Sequence, residues 1–508
     1  MKLSHVARSA LIVAVFFGLE KALGFVRQVA IARTFGLSPE LDAFNAANNL
    51  PDLLFALISG GALGIAFIPV LSEYLQTRGR PAAWDLFSRI ANLFFLTTAV
   101  LSIIVAIFAD QLVQWRLGIA PGFTPEQQSL VAELMRINLI ATLLFSLGGL
   151  VIAGLQANQH FLLPAMAPSM YDIGTLIGIF ILVPEKGITI GPLTLPAFGM
   201  GIYGLAYGVI LGAVLFLLVQ IPGLIRFQFR WTPAINLHHP GVKQVLGLLG
   251  PRILTVLCIQ INYIAQDNIA SRLVTGSVTA LVYGWLFMQV PETIIGTALG
   301  TALLPTLSEQ IVRREQSAFQ QVLNRALRLI LALTIPIAVL ISVTIQPVVG
   351  ILGFDPSGTS LVTWSARAYL LGLMGHSLLE VSVRAFYAQQ NARTPLLAAG
   401  LTTAAFIFLA ILLAPRLGAP GIALANAIAF TGEAFFLWFL LNRRFPGILK
   451  AGNTLARVIP AAFLGGVIAY AITGFSLPAL PQALFALTAG GLIVLPFIRP
   501  ELRVLIKL

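Results

Sequence analysis

The sequence has 508 residues, 58% of them hydrophobic and only 10% charged. A soluble globular domain carries about 25% charged residues, so this composition argues against a water-soluble enzyme. The 31 Lys and Arg against 19 Asp and Glu leave a net charge of +12, which in so apolar a chain reads as basic cytoplasmic loops rather than as a nucleic-acid surface.

A bilayer crossing takes roughly 20 apolar residues. The runs between charged or Gly/Pro breaks predict about fourteen helical spans, at 9–33, 41–72, 87–109, 130–155, 161–183, 200–222, 244–272, 278–307, 325–347, 361–388, 395–414, 418–441, 457–474 and 481–498. Lys2 and Arg8 ahead of Ala10–Leu19 resemble a secretory signal. Glu20 and Lys21 follow, however, without a small-residue cleavage site, so the segment is expected to stay as the first span. The second and eighth runs exceed one crossing and are expected to tilt, kink or extend beyond it. The single cysteine, Cys258, excludes a disulfide within the chain and fits a small apolar helix position.

Loop charge predicts orientation. Arg78, Arg80, Arg226, Arg230, Arg313, Arg314, Arg393, Arg443, Arg444, Lys450 and the basic residues of both termini fall on one side. The other side holds little beyond Arg33, Arg116, Lys186, Arg272 and Arg416. The bias predicts cytoplasmic N- and C-termini.

Ionisable residues inside spans are costly and face a bundle interior or a wet cavity. In the first span Glu20 and Arg27 share one helical stripe, with Gly24 beside them, and Lys21 and Gln28 share the next. This cationic face is a site signal; the plainer reading is that Glu20 neutralises Lys21 while Arg27 snorkels. In the second span Asp42, Asn45, Asn49 and Asp52 fall on one side of a continuous helix, and Asp42 also suits a helix start. Pro51 and the Gly60, Gly61 and Gly64 cluster predict a bend and close helix contact.

In the seventh span Arg252, Gln260, Tyr263 and Asp267 share a stripe. At ~1.5 Å per residue Arg252 and Asp267 lie roughly 22 Å apart, so each needs another partner or a wet cavity. In the tenth, His376, Glu380 and Arg384 are successive i, i+4 neighbours, an ion-pair ladder or a proton or cation relay. Arg367 lies on the opposite side of that span, and Asp172, Glu292 and Glu433 stand alone.

Three segments recur in order. Gly60–Glu73 aligns with Gly296–Glu309, matching at nine of fourteen positions; Ala157–Pro164 aligns with Ala388–Pro395, and Gly201–Ala206 with Gly418–Ala423. Six spans separate the members of each pair, and an even number preserves direction, so the repeats are parallel. Two six-helix lobes with substrate between them are a transporter design. The expected architecture is an all-α polytopic membrane protein with an N-lobe at 1–222, a C-lobe at 223–445 and two accessory spans at 446–508. No G-x-x-x-x-G-K-[ST] loop, Cys/His zinc set or nucleophile elbow occurs. Neither a cofactor nor a metal site is therefore expected, and an integral-membrane enzyme using buried carboxylates is disfavoured by the repeat.

These residues resemble the MurJ (MviN) family of lipid II flippases, within the multidrug/oligosaccharidyl-lipid/polysaccharide exporter group. The matching stretches are Leu23–Arg27 with Ala32–Gly36, Leu41–Phe44, Leu50–Leu54, Gly60–Leu63 with Ala66–Tyr74, Gly276–Val278, Leu304–Ser308, and Ala385–Ala388 with Thr394–Pro395. They run through most of the chain in the family's order, and the family also has fourteen spans.

The resemblance implies a central cavity lined by spans one, two, seven and eight, where cations hold the pyrophosphate of a polyprenyl-pyrophosphate-linked saccharide. It implies alternating access and a groove by the last two spans for the polyprenyl tail. Arg27 matches a family cavity arginine, Lys21 stands where arginine is usual, and Asp42 matches an acidic position. Phe55 and Leu286 replace two cavity arginines, and Arg252 is a candidate to compensate. The substrate-site set is thus Lys21, Arg27, Asp42, Asn49, Asp52 and Arg252. Asp267, His376, Glu380 and Arg384 form a candidate network for coupling to a cation or to membrane potential. Membrane lipid and cell-wall synthesis proteins are the other expected partners, nucleic acid is not, and a monomer is expected. Three other functions stay open: export of another polyprenyl-linked glycan, cation-coupled export of small amphiphiles, and a non-transporting scaffold.

Overall fold

The computed structural model describes residues 5–58, 61–187, 189–190, 193–475 and 478–505, with the side chains of all but 5–14, 58, 61–66, 190, 193, 250–252, 255 and 504–505. The chain divides into two compact units, Met1–Ile264 and Ala265–Leu508. The first contains α1 (His5–Phe35), α2 (Pro39–Ala47), α3 (Asn49–Ile58), α4 (Gly61–Thr77), α5 (Gly79–Ile107), α6 (Ala109–Gln114), α7 (Pro125–Ala157), α8 (Leu162–Ile177), α9 (Ile202–Leu218) and α10 (Ile221–Arg226). The division falls within α11 (Pro240–Ala270). The second contains α12 (Ser277–Glu292), α13 (Ala298–Val312), α14 (Gln316–Gly350), α15 (Pro356–Leu371), α16 (Leu373–Ala388), α17 (Arg393–Leu417), α18 (Ala419–Arg444), α19 (Gly452–Thr473) and α20 (Ala479–Leu505). The described strands, Thr189–Ile190 and Leu193–Thr194, make one antiparallel two-residue ladder.

The fold is all-α and polytopic. Among the described residues every predicted span falls on a helix or on consecutive helices, and ten of the helices are long and apolar enough to cross a membrane. Local sequence explains three of the helix starts through a side-chain cap. Ser38 Oγ accepts the Leu41 amide at 3.2 Å, Thr124 and Gln127 form a reciprocal capping box, and Asp355 accepts the Gly358 amide at 3.1 Å. Each satisfies an amide that the first turn leaves unpaired.

Two expectations about the second span change. Ser38, not Asp42, caps the helix; Asp42 lies a turn further in and is buried. The helix also stops at Asn48, just ahead of Pro51, whose ring and missing N–H oppose continuation from the preceding turn. Asp42 and Asn45 therefore lie on α2, while Asn49 and Asp52 lie on α3, and the polar residues do not form one stripe of a continuous helix. Asp42 is buried and Asp52 exposed.

In the first unit α7 packs against α2, α3, α4, α5 and α9, while α8 lies between α1 and α9. Small residues set the α8–α9 contact: a Cβ on Gly174 would stand 2.3 Å from the Gly212 backbone, and one on Gly178 would stand 2.6 Å from Gly208 Cα. In the second unit α12 packs on α15, α16 on α13 and α18, and α17 pairs with α18. The accessory helices α19 and α20 pack on each other and on α14.

The second and third recurring pairs have matching local structure; in the first, Gly60 lies outside the described residues and the second copy begins in the π-helical turn Thr293–Thr297. Gln159 and Gln390, equivalent in the second pair, both take positive φ, 59° and 57°. The same six-residue helix-ending hydrogen bond follows each, His160 N–H to Leu155 O at 2.9 Å and Asn391 N–H to Phe386 O at 3.0 Å. Gly201 and Gly418, opening the third pair, adopt φ/ψ of 54°/−135° and 65°/−147°, a region that favours glycine.

Asn92 on α5 donates to the carbonyls of Thr232 and Ala234 at 2.8 and 3.1 Å. Asn324 on α14 does the same to Ile448 and Lys450 at 2.9 and 3.1 Å. In each unit an asparagine of a long helix straps down the segment that follows the last helix of the repeat.

Candidate functional site

The cationic face of α1 acquires its partner from α8. Arg27 Nε lies 3.2 Å from Asp172 Oδ1, with 17% and 3% of the two side chains exposed. The guanidinium also stacks 4.7 Å from the Tyr171 ring. Gly24 lies one turn earlier on α1, and a Cβ there would reach 3.8 Å from the Asp172 carboxylate, so the small residue leaves the carboxylate room beside the helix. Asp172 was legible in the sequence only as a lone intramembrane carboxylate. A lone carboxylate and a lone arginine in one lobe are each other's natural counter-ions, and that was the available signal.

Lys21 pairs with Glu20 at 3.2 Å and stands 5.1 Å over the Phe17 ring; it is 58% exposed. Arg27 is thus a fixed, neutralised cation, whereas Lys21 is an exposed and adaptable one. Such a pair offers an anion one planar fork, provided that Asp172 yields, and one point charge.

The second-span residues occupy different surroundings. Asn49 is buried and donates to Ala46 O at 3.1 Å. Asp52 is exposed, and its backbone carbonyl receives Gln260 from α11 at 3.5 Å. Asn48 accepts Asn138 of α7 at 2.8 Å, a half-buried polar contact between helices that the spacing along α2 does not show. The Arg252 side chain lies outside the described residues. Phe55 makes an edge contact with Phe145 of α7, centroids 6.1 Å apart, and so joins an aromatic cluster that Tyr171 of α8 and Phe216 of α9 complete.

In the second unit the predicted i, i+4 series divides. Arg384 pairs with the Glu380 carboxylate, and its other terminal nitrogen reaches Thr301 of α13 at 3.4 Å. His376 turns to Asn426 of α18 at 3.0 Å and stacks on Phe430, centroids 4.7 Å apart. Asp267 is buried on the last part of α11. Glu292, which the sequence left alone, accepts Thr297 at 3.2 Å across the π-helical turn Thr293–Thr297. A Cβ on Gly296 would stand 2.8 Å from its carboxylate and 2.7 Å from Ser377 Cα; one on Gly300 would stand 2.9 Å from Arg384 Cδ. Gly296 and Gly300 thus bring α16, with Glu380 and Arg384, up to the carboxylate-bearing turn. Among the described residues no group of His, Cys, Asp and Glu has metal-binding geometry.

A family model described as "Lipid II flippase MurJ" matches residues 31–489. The chain is 30% identical to the lipid II flippase MurJ of Burkholderia cenocepacia over 452 residues, covering 86% of this chain and 84% of that one. It is 28% identical to the probable lipid II flippase MurJ of Rhizobium meliloti over 501 residues, covering 93% and 88%. A solved structure of lipid II flippase MurJ in an inward closed conformation matches with TM-score 0.80 and 25% identity, covering 98% of this chain and 100% of that one. An inward-facing multidrug resistance MATE transporter shares the fold alone, with TM-score 0.69 and 14% identity over 85% and 96% of the two chains. With a family match through most of the chain and a relative similar across both lengths, this protein belongs to the lipid II flippase MurJ family, a family of multi-pass membrane transporters rather than enzymes.

Proposed function

We propose that this protein carries a lipid II-type peptidoglycan precursor from the inner to the outer leaflet of the cytoplasmic membrane by alternating access, as a monomer with about fourteen crossings and both termini in the cytoplasm. Family membership supports the substrate class, a polyprenyl-pyrophosphate-linked saccharide, and with it a role in cell-wall synthesis. The observation that carries the reading is the cationic face of α1, where Arg27 is already held by a carboxylate. A pyrophosphate reaching this face exchanges with Asp172 for the guanidinium fork, while the exposed Lys21 adds a second charge. Exchange of one anion for another keeps the arginine neutralised and gives a membrane-embedded cation two states of similar energy.

No cofactor enters this mechanism. Coupling to a cation or to membrane potential is assigned to the carboxylate pair Glu292 and Glu380 with Arg384, and to Asp267. Contacts with cell-wall synthesis proteins belong to the same reading.

Complementation of cells depleted of their own flippase tests the proposal. Growth with the wild type and its loss with Arg27→Ala support it; full rescue by the Arg27→Ala, Lys21→Ala double variant sinks the anion site. One observation favours export of a different polyprenyl-linked glycan: Phe55 is packed against Phe145 where family members carry a cation. Native mass spectrometry of co-purified lipid separates the two, since each predicts a different headgroup mass.

A further inference from the structure

A cavity of about 670 Å³ lies wholly in the second unit, between α14, α15 and the α17–α18 turn, and its wall is mostly apolar. Ser342, Leu361, Trp364, Arg367, Leu417 and Leu424 are among its lining residues. The volume falls within the usual range of small-molecule sites, about 300–1,000 Å³. Trp364, Leu371 and Leu417 are exposed along its rim, so it opens on the surface that a bilayer covers.

Its chemistry is set by Arg367. The Nε donates to the Ser342 carbonyl at 2.9 Å, and the guanidinium stacks 4.8 Å from the Trp364 ring. These two contacts fix the plane of the group and leave its terminal nitrogens without a hydrogen-bond partner among the described residues. No carboxylate lies within ion-pair distance among them either, unlike Arg27, Arg328, Arg384 and Arg457, each of which has one. A cation in a membrane helix without a protein counter-ion calls for an anion from elsewhere, and a planar fork suits a phosphate bidentately.

Position narrows the ligand further. Ser342 lies about 12 Å along the axis from the end of α14 at Gly350, at ~1.5 Å per residue. The guanidinium is therefore near the end of the crossing remote from Arg325 and Arg328, within snorkelling reach of headgroup phosphates. No acidic residue lines the cavity to receive an ammonium group.

We infer that this cavity binds a bilayer phospholipid with a singly anionic phosphodiester headgroup, the phosphate on Arg367 and one acyl chain along Leu361, Leu371 and Leu424. The site is independent of the headgroup that the protein translocates.

The test is native mass spectrometry of the full-length protein exchanged into micelles doped with dioleoyl phosphatidylglycerol, dioleoyl phosphatidylethanolamine or a polyprenyl phosphate. The wild type is expected to hold one phosphatidylglycerol at several-fold higher occupancy than phosphatidylethanolamine. Arg367→Gln is expected to lower that occupancy at least fivefold, and Arg393→Gln, at the opposite end of the lobe, to leave it unchanged. Ala368→Phe places a ring in the cavity beside Arg367 while keeping the charge and is expected to lower it as Arg367→Gln does, which keeps the test decisive if Arg367→Gln fails to fold. Equal occupancy in wild type and both variants overturns the inference, as does equal retention of the two phospholipids. Arg367-dependent retention of the polyprenyl phosphate in preference to phosphatidylglycerol overturns it too, by giving the cavity to the transported lipid.

Discussion

Arg27 on α1 and Asp172 on α8 form an ion pair at 3.2 Å in which the carboxylate is 97% covered, 3% of the side chain remaining exposed. The pair ties the first helix of the chain to the small-residue α8–α9 hairpin, and its cost and benefit are unequal. Removing one partner of a buried pair typically costs about 3–5 kcal/mol, whereas removing both costs far less. Asp172→Asn is therefore expected to lower the thermal stability of the purified protein markedly, and Arg27→Gln with Asp172→Asn to restore most of it. The double variant is expected to fail in complementation all the same. Restored growth with the double variant would confine the pair to a structural role.

The α8–α9 hairpin depends on backbone approach. An added methyl at Gly174 would meet Gly212 at 2.3 Å, and both contact atoms are main chain, which yields little. Gly174→Ala is expected to cost ~2 kcal/mol or more, in the upper range for overpacking. Gly432→Ala on α18 adds a methyl to open space and is expected to be neutral or stabilising by up to ~1 kcal/mol. Melting curves of the two variants side by side check the contrast.

Besides their apolar packing, the accessory helices are cross-linked to α14 by one carboxylate. Glu501 on α20 is 2% exposed and accepts Arg457 of α19 at 2.6 Å and Thr454 at 2.9 Å, together with Arg328 of α14 at 3.2 Å. The two arginines are about one-third exposed, so water takes up part of the loss when the acceptor goes. Glu501→Ala is expected to cost ~2 kcal/mol, below the figure for a fully buried pair. It is also expected to raise amide exchange along Ala479–Leu505 before any other helix. Uniform exchange across α14, α19 and α20 would show that apolar packing alone holds the pair.

Two histidines outside the spans predict the direction of pH dependence. Burial, then the Arg226 charge, lowers the His160 pKa below its ordinary value of 6.5. Burial, then the Arg89 charge, does the same at His239. The folded chain binds fewer protons there than the unfolded chain, so the two sites leave stability intact above about pH 6.5 and reduce it as pH falls below that value. The loss levels off below the lowered folded pKa values. Unfolding midpoints measured from pH 8 to pH 5 should decline less for His160→Gln with His239→Gln than for the wild type; an identical slope removes these histidines as the cause.

The sequence alone determined the order and placement of the apolar helices, because each needs only a local run of apolar residues and its own backbone hydrogen bonds. It also determined the repeats, whose equivalents Gln159 and Gln390 share one backbone conformation, whereas the cap of the second span fell to Ser38 and not to Asp42. Recognition of the family followed from the same local motifs. The break at Asn48 was half legible: Pro51 announced a bend, but a wheel drawn through it aligned Asp42 with Asp52, which the fold separates into a buried and an exposed residue. The pairs Glu20–Lys21 and Glu380–Arg384 lie within one helix and were legible, but only the tertiary structure decided the pairings between helices. Arg27 with Asp172, Glu501 with Arg328 and Arg457, and His376 with Asn426 rather than Glu380 all depend on which helices lie side by side. A buried charge selects its partner by distance in space, and a helical wheel holds no information about the neighbouring helix.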